Sequence, residues 1–269
     1  DRAIEAIGRG FATFLKRRGL KEAVVGHDAR SYSKDVQELT VKALKESGIH
    51  VVEIGTVLVP IFYFAQYHLQ KKGGVMITAS HNPWGWSGLK HAYDYSTTFI
   101  PKDIRELYDI IEKEEFETGE GSVESFPNII DAYRNDILNK VRITKPLKVL
   151  VDAGNGTAGP IVPDILRKAG CTVVEQYTTV SEKRDHDANP STIGMIQAMA
   201  HGVKTHRVDI GLGFDDDGDR LGAVDEKGNF EIGRQRGLVR LIRVQFLKRF
   251  ESSITAFEQS CQNLLLKFL

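Results

Sequence analysis

The sequence predicts an α/β protein of two units with mixed, largely parallel sheets, followed by a helical tail. Three observations lead there. Short, continuously apolar strands alternate with helical patterns from residue 3 to residue 115, as in a parallel sheet covered on both faces. The alternation restarts beyond a Gly- and Glu-rich stretch at 117–125, which reads as a linker. From Ile232 onward the pattern becomes one long amphipathic stripe. The expected units are therefore 1–125 and 126–232, with a tail at 233–269.

The elements follow from local pattern. Residues 3–18 place Ile4, Ile7, Phe11, Phe14 and Leu15 on one helical stripe that Gly19 ends. Ala23-Val24-Val25 is a short buried strand, Ser33 to Ser47 a helix stopped by Gly48, and Val51 to Ile54 the next strand. A short helix near 62–69 leads into the strand Gly74-Val75-Met76-Ile77, and 102–115 is a further helix. In the second unit, helix 127–141 precedes strand 148–152, helix 160–169 and strand 171–177. A polar loop at 178–191, helix 192–203 and strand 208–214 come next, then a hairpin from Leu221–Val224 to Asn229–Ile232.

Bulk composition excludes several classes. Formal net charge is zero, from 36 basic and 36 acidic residues, so no global charge recruits nucleic acid or an anionic membrane. The longest span-like stretch, Ile54 to Ala65, contains Pro60 and is too short to cross a bilayer. Two cysteines, Cys171 and Cys261, form no spaced pattern, which fits a reducing, cytoplasmic setting. The tail carries seven basic residues against two acidic, and its stripe (Ile242, Phe246, Phe250, Ile254, Phe257, Cys261, Leu264) must pack on something. It is expected to cover the second unit or to hold a homodimer together.

Four polar constellations stand out. Thr78-Ala79-Ser80-His81-Asn82-Pro83 ends a buried strand, either as plain punctuation or to hold Ser80 out for chemistry. No G-x-S-x-G elbow surrounds it, so hydrolase chemistry is poorly supported. Asp215-Asp216-Asp217-Gly218-Asp219-Arg220 puts four aspartates in five positions after an apolar strand. Alternate residues Asp215, Asp217 and Asp219 can aim carboxylates at one centre, the hard oxygen set that Mg²⁺ prefers. A calcium EF-hand loop matches several positions, with Glu226 as its last ligand, but fails where glycine is required and Arg220 stands. An exposed acidic turn is the plainer alternative, and magnesium is the expected reading because a strand end is a favoured ligand position in α/β sheets.

Gly154-Asn155-Gly156-Thr157-Ala158-Gly159 follows a strand and precedes a helix, with Glu175 at the end of the next strand. That is the spacing of a nicotinamide-dinucleotide fingerprint, and equally of a tight structural turn or a phosphate site. Arg30, after Val25-Gly26-His27-Asp28-Ala29, reads equally well as an ion-paired surface residue or a phosphate clamp. His201 and His206 do not stack on one helix face, so zinc is not expected there.

Ser80, the aspartate loop and Arg30, all at strand ends, fit phosphoryl chemistry better than hydride or acyl transfer. Thr78–Pro83 resembles the active-site serine loop of the α-D-phosphohexomutases (phosphomannomutase and phosphoglucomutase), and Asp215–Arg220 resembles their magnesium loop, with Asp216 where the family usually has glycine. Val25–Arg30, Gly88-Leu89-Lys90 and Val151–Gly159 match further family segments in order, over about residues 1–233. The resemblance implies two phosphohexomutase-type α/β/α domains and interconversion of hexose 1- and 6-phosphates through a phosphoserine and a bisphosphate. It implies Ser80 as phosphoryl carrier, Mg²⁺ on Asp215, Asp217 and Asp219, proton movement assisted by His81 and Lys90, and support from Arg30 and Arg220. It also makes the 154–159 turn scaffold. The family has four domains, and its third-domain sugar loop and fourth-domain phosphate loop are not found after Ile232, so the tail reads as a truncated or divergent third-domain start. Weak or incomplete turnover is expected. The alternatives are a non-catalytic remnant that self-associates and an NAD(P)-dependent oxidoreductase.

Overall fold

The computed structural model of the chain describes residues 1–230. The tail, and with it any dimer through the tail, lies outside the described residues, as does the end of the hairpin's second strand. The described residues form two compact units: 1–78 with 87–130, and 79–86 with 131 onward.

The first unit runs α1 (Arg2–Lys16), β1 (Glu22–His27), α2 (Ser33–Glu46), β2 (His50–Thr56), α3 (Val59–His68) and β3 (Gly73–Ile77). It continues with β4 (Leu89–Tyr93), β5 (Thr97–Thr98), α4 (Pro101–Glu112) and β6 (Val123–Ser125). Its sheet has the order β5-β4-β3-β1-β2-β6. β1 pairs in parallel with β2 and β3, as β2 does with β6, whereas β3–β4 and β4–β5 are antiparallel. The central strands are buried along nearly their whole length, which explains their unbroken apolar runs. Phe11, Phe14 and Leu15 of α1, Leu44 of α2 and Ile110 of α4 pack with Val25, Val75 and Ile77 in one core. Pro101 starts α4 at a position whose N–H needs no helical partner, and the Asp103 carboxylate accepts the Ile100 amide at 3.0 Å.

The stretch 117–125 is not a free linker, because β6 within it extends the sheet. Its glycines allow close approach rather than flexibility. A Cβ on Gly121 would lie 2.1 Å from the Ile49 carbonyl oxygen, and the Val51 amide donates to the Ser122 carbonyl at 2.8 Å. Strands β4 and β5 also escaped the sequence reading: their residues lie between polar turns and lack an apolar run.

The second unit contains most of α5 (Ile129–Lys140), then β7 (Lys148–Asp152), α6 (Val162–Lys168), β8 (Thr172–Gln176), α7 (Ile193–His206), β9 (Ile210–Phe214) and β10 (Leu221–Asp225). Its sheet is ordered β10-β9-β7-β8, parallel except for β9–β10. Side chains of β7 alternate between two cores. Leu150 packs with Met195, Met199 and Val203 of α7, while Val149 and Val151 face Val162 and Leu166 of α6. Helices therefore cover both faces, and the loops at the carboxyl ends of β7 and β9 open at one edge, where α/β sheets carry their ligands. Among the described residues no helix is long and apolar enough to cross a membrane.

Candidate active site

Strand β3 ends at Ile77, and the Thr78 amide donates to the Gly88 carbonyl at 3.0 Å, closing the neck of an excursion whose residues 79–86 pack with the second unit. Within it the Asn82 amide donates to the Ala79 carbonyl at 3.0 Å. Ser80 sits at φ 52°, in the left-handed region that costs a side chain about 1–2 kcal/mol. Such strain persists only where the surroundings impose it, and it is commonest at functional sites. The Ser80 hydroxyl lies 3.3 Å from Nδ1 of the exposed His81 and 3.5 Å from Oδ2 of Asp215. The serine is thus carried to the aspartate loop.

That loop follows β9. The Asp215 amide donates to the Arg220 carbonyl at 3.3 Å and the Gly218 amide to the Asp215 carbonyl at 3.1 Å, with Gly218 at φ 69° making the turn. Asp215, Asp217 and Asp219 each offer a carboxylate oxygen, and the three atoms lie within 4.8 Å of one another. Asp215 and Asp217 are fully buried. On Asp215, Oδ1 accepts the Arg220 amide at 3.0 Å, and the Arg220 Nε lies 3.7 Å from Oδ2. Three anionic groups held this close, two of them out of solvent, repel strongly without a cation. Their all-carboxylate donor set suits a hard divalent ion. The flanks are antiparallel strands, not helices, so the EF-hand reading is set aside.

Asp216, inside the turn between Asp215 and Gly218, faces elsewhere. Its two carboxylate oxygens accept Nη2 of Arg184 at 2.6 and 2.7 Å, and the Arg184 guanidinium lies 5.5 Å from the ring centre of Trp84 in the serine loop. The same polar loop contributes His186, whose Nε2 is 3.1 Å from Oδ2 of the fully buried Asp152 and whose Nδ1 is 2.9 Å from the Asp187 carbonyl. Sequence reasoning passed over both residues. In isolation 182–187 is a run of charges in a loop, and its partners stand about thirty positions away in either direction.

Residues 1–118 match the family description "Phosphoglucomutase/phosphomannomutase, alpha/beta/alpha domain I", and residues 131–228 match domain II of the same family. The chain belongs to the phosphoglucomutase/phosphomannomutase family. A phosphomannomutase/phosphoglucomutase of Pseudomonas aeruginosa is 34% identical over 223 residues, 82% of this chain and 48% of that protein. A phosphoglucomutase of Neisseria gonorrhoeae is 34% identical over 232 residues, 85% of this chain and 50% of that one. The crystal structure of a phosphoglucomutase/phosphomannomutase family protein from Burkholderia thailandensis superposes with a TM-score of 0.80 at 30% identity, covering 85% of this chain and 52% of its own. The chain thus spans about half the length of these relatives.

Within this mutase-family fold the glycine turn after β7 is structural, and the dinucleotide reading fails there. Its amides are already taken: Gly154 by Asp152 Oδ1 at 2.9 Å, Asn155 by the Tyr177 carbonyl at 2.7 Å, Thr157 by the Asp216 carbonyl at 3.0 Å. A Cβ on Gly159 would lie 1.8 Å from the Thr178 carbonyl oxygen, and one on Gly156 2.6 Å from Asp216 Oδ1. The space a pyrophosphate would need is filled by protein. Glu175 pairs with Arg167 and accepts the Thr178 hydroxyl at 2.7 Å, which leaves it bonded within the protein rather than turned to a ribose.

The remaining mutase candidates lie in the first unit. Arg30 is buried at the carboxyl end of β1, with Nε 3.4 Å from Asp28 Oδ2 and Nη1 donating to the Tyr32 hydroxyl at 3.2 Å. Asp28 Oδ1 also accepts the Ser33 hydroxyl at 2.5 Å and the Arg30 amide at 3.2 Å. Lys90 is half-buried on β4, in register with Met76 of β3.

Proposed function

We propose that this chain carries the phosphoryl-handling part of a hexose-phosphate mutase, interconverting hexose 1- and 6-phosphates through a phosphoserine and a hexose bisphosphate. The observation that supports it most directly is the Ser80 hydroxyl, strained at φ 52° and set 3.5 Å from Asp215 on the aspartate loop. Asp215, Asp217 and Asp219 would hold Mg²⁺, which when bound offsets the charge of the transferring phosphoryl group.

The chain's own groups then have defined tasks. Phosphorylated Ser80 gives its phosphoryl group to a sugar hydroxyl: the Ser80 O–P bond breaks, the sugar O–P bond forms, and the hydroxyl proton passes to a nearby base. His81, with Nδ1 3.3 Å from Oγ, is assigned the proton that the departing serine oxygen takes up, and Lys90 the one that the sugar hydroxyl gives up. Arg220 steadies the aspartate loop, while Arg30 is assigned a phosphate-facing role. Return of the other phosphate from the bisphosphate to Ser80 completes the cycle. We assign no hexose preference, since one relative is named for both mannose and glucose and another for glucose alone. A reducing cytoplasmic setting suits phosphorylated sugars and the free, buried Cys171 thiol.

Intact-mass analysis after incubation with glucose 1,6-bisphosphate and Mg²⁺ tests this reading. One added phosphate is expected in the wild-type chain, none in Ser80→Ala, and a much weaker Mg²⁺ affinity in Asp217→Ala. An adduct that survives Ser80→Ala, or equal metal affinity in Asp217→Ala, would overturn the corresponding assignment.

A further inference from the structure

We propose that Arg184 is a positioning residue that clamps the serine loop to the aspartate loop, a role that rests on the reading of Ser80 and the three aspartates given above. Asp216 lies between two of those aspartates and Trp84 lies four positions after Ser80, so both contacts of Arg184 fall on the loops that must meet. The guanidinium donates to both Asp216 oxygens at 2.6 and 2.7 Å and stands 5.5 Å from the Trp84 ring centre, within cation–π range. The Asp216 side chain is 3% exposed and that of Arg184 13%, so solvent does little to weaken the pair.

Asp216 is itself held at two points. Its carbonyl accepts the Thr157 amide at 3.0 Å, and its side chain fills the space left by Gly156. The contact series therefore runs from the rigid turn after β7, through Asp216 and Arg184, to the indole of Trp84. A planar guanidinium can satisfy a carboxylate along one edge while offering its face to an aromatic ring, which an ammonium cannot do. A glycine at 216 would have no side chain to anchor the arginine. Phosphoryl transfer depends on holding the serine oxygen in line, and a misplacement of about 1 Å costs on the order of a hundredfold.

The two tryptophans of the chain, Trp84 and Trp86, both lie in this loop, so the clamp has its own optical readout. In a full-length Trp86→Phe background, Trp84 is the sole indole, and its acrylamide quenching reports how firmly it is held. Arg184→Met should raise the quenching constant about twofold and slow uptake of phosphate from glucose 1,6-bisphosphate roughly tenfold. Arg184→Lys keeps the charge against Asp216 but not the planar face. It should fold normally and still loosen Trp84. If Arg184→Met does not fold, Arg184→Met with Asp216→Ala leaves no buried unpaired charge and should reproduce both defects while retaining Mg²⁺ binding. Wild-type quenching and uptake in that double variant would overturn the proposal by reducing Arg184 to a neutraliser of Asp216. Unchanged quenching in the folded Arg184→Met chain would overturn it too. A wild-type chain that takes up no phosphate overturns the role of Ser80 instead, and the quenching comparison still decides whether Arg184 holds Trp84.

Discussion

His91 in the first unit and His186 in the second both lie in protein interiors, in opposite surroundings. The His91 ring sits 4.5 Å from that of Phe11 and 5.2 Å from that of Phe99, and its Nε2 is sealed from solvent with no hydrogen-bond partner. Burial lowers its pKa to about 4, so it is neutral. His186 offers one ring nitrogen to the Asp152 carboxylate and the other to a carbonyl, and only the imidazolium can donate to both. Burial pulls its pKa down, but the Asp152 carboxylate, the Asp187 carbonyl and the charge of Asp185 outweigh that and raise it.

The difference teaches where the fold tolerates charge. The first unit builds its core from aromatic and aliphatic side chains and takes a histidine in as one more ring. The second unit sets Asp152, His186, Arg184, Asp215, Asp216 and Asp217 together beside the serine loop, at a desolvation cost that stability alone does not justify. The first unit's own buried pair, Asp28 with Arg30, supports the same rule, since it too stands at the carboxyl end of a strand.

The widest contrast should come from one substitution made in both units. His186→Leu leaves Asp152 buried without its cation, although the Gly154 amide and Gln176 Nε2 still donate to it at 2.9 Å. A loss of about 3 kcal/mol in urea unfolding at pH 6 is expected. His91→Leu removes an unsatisfied nitrogen from an apolar nest and should gain about 1 kcal/mol at pH 7. If both variants lose stability equally, the contrast fails.

Titration sharpens it further. The folded pKa of His91 is below the unfolded value of 6.5, so between pH 6.5 and about 4 the unfolded chain binds the extra proton and stability falls with acid. The expected loss is on the order of 2 kcal/mol, and His91→Leu should flatten that limb of a urea-unfolding pH series. His186 has the opposite sign. Its contribution is complete below pH 6.5 and is lost as pH rises through its raised folded pKa, so a His186→Gln chain should lose the alkaline limb and keep the acid one.

The smallest effect concerns strain. Ser80→Gly relieves a side chain at φ 52°, and should raise stability by about 0.5–1 kcal/mol over Ser80→Ala, which keeps the strain. Equal melting temperatures for the two variants would mean that the loop relaxes at no cost, and that the serine is not held against its own preference.

Much of this molecule was determined by local sequence. Helical stripes such as Phe11, Phe14 and Leu15, and unbroken runs such as Gly74–Ile77, set the order of helices and strands. The four aspartates after β9 mark the site in the sequence, and a local turn, closed from the Gly218 amide to the Asp215 carbonyl, rather than strand alternation brings Asp215, Asp217 and Asp219 within reach of one another. What only tertiary structure decided lies between distant positions. Strand β6 is an edge strand because glycines at 119 and 121 fit against the turn before β2, and composition alone reads those glycines as slack. The motif at 154–159 is scaffold because Asp152, Tyr177, Thr178 and Asp216 occupy its amides and its space. Arg184 finds Asp216 and Trp84, and His186 finds Asp152, across separations where periodicity carries no information. Whether a histidine is an aromatic filler or a buried cation depends on which groups the packed chain brings to its ring, and that is settled by packing and desolvation rather than by its neighbours in sequence.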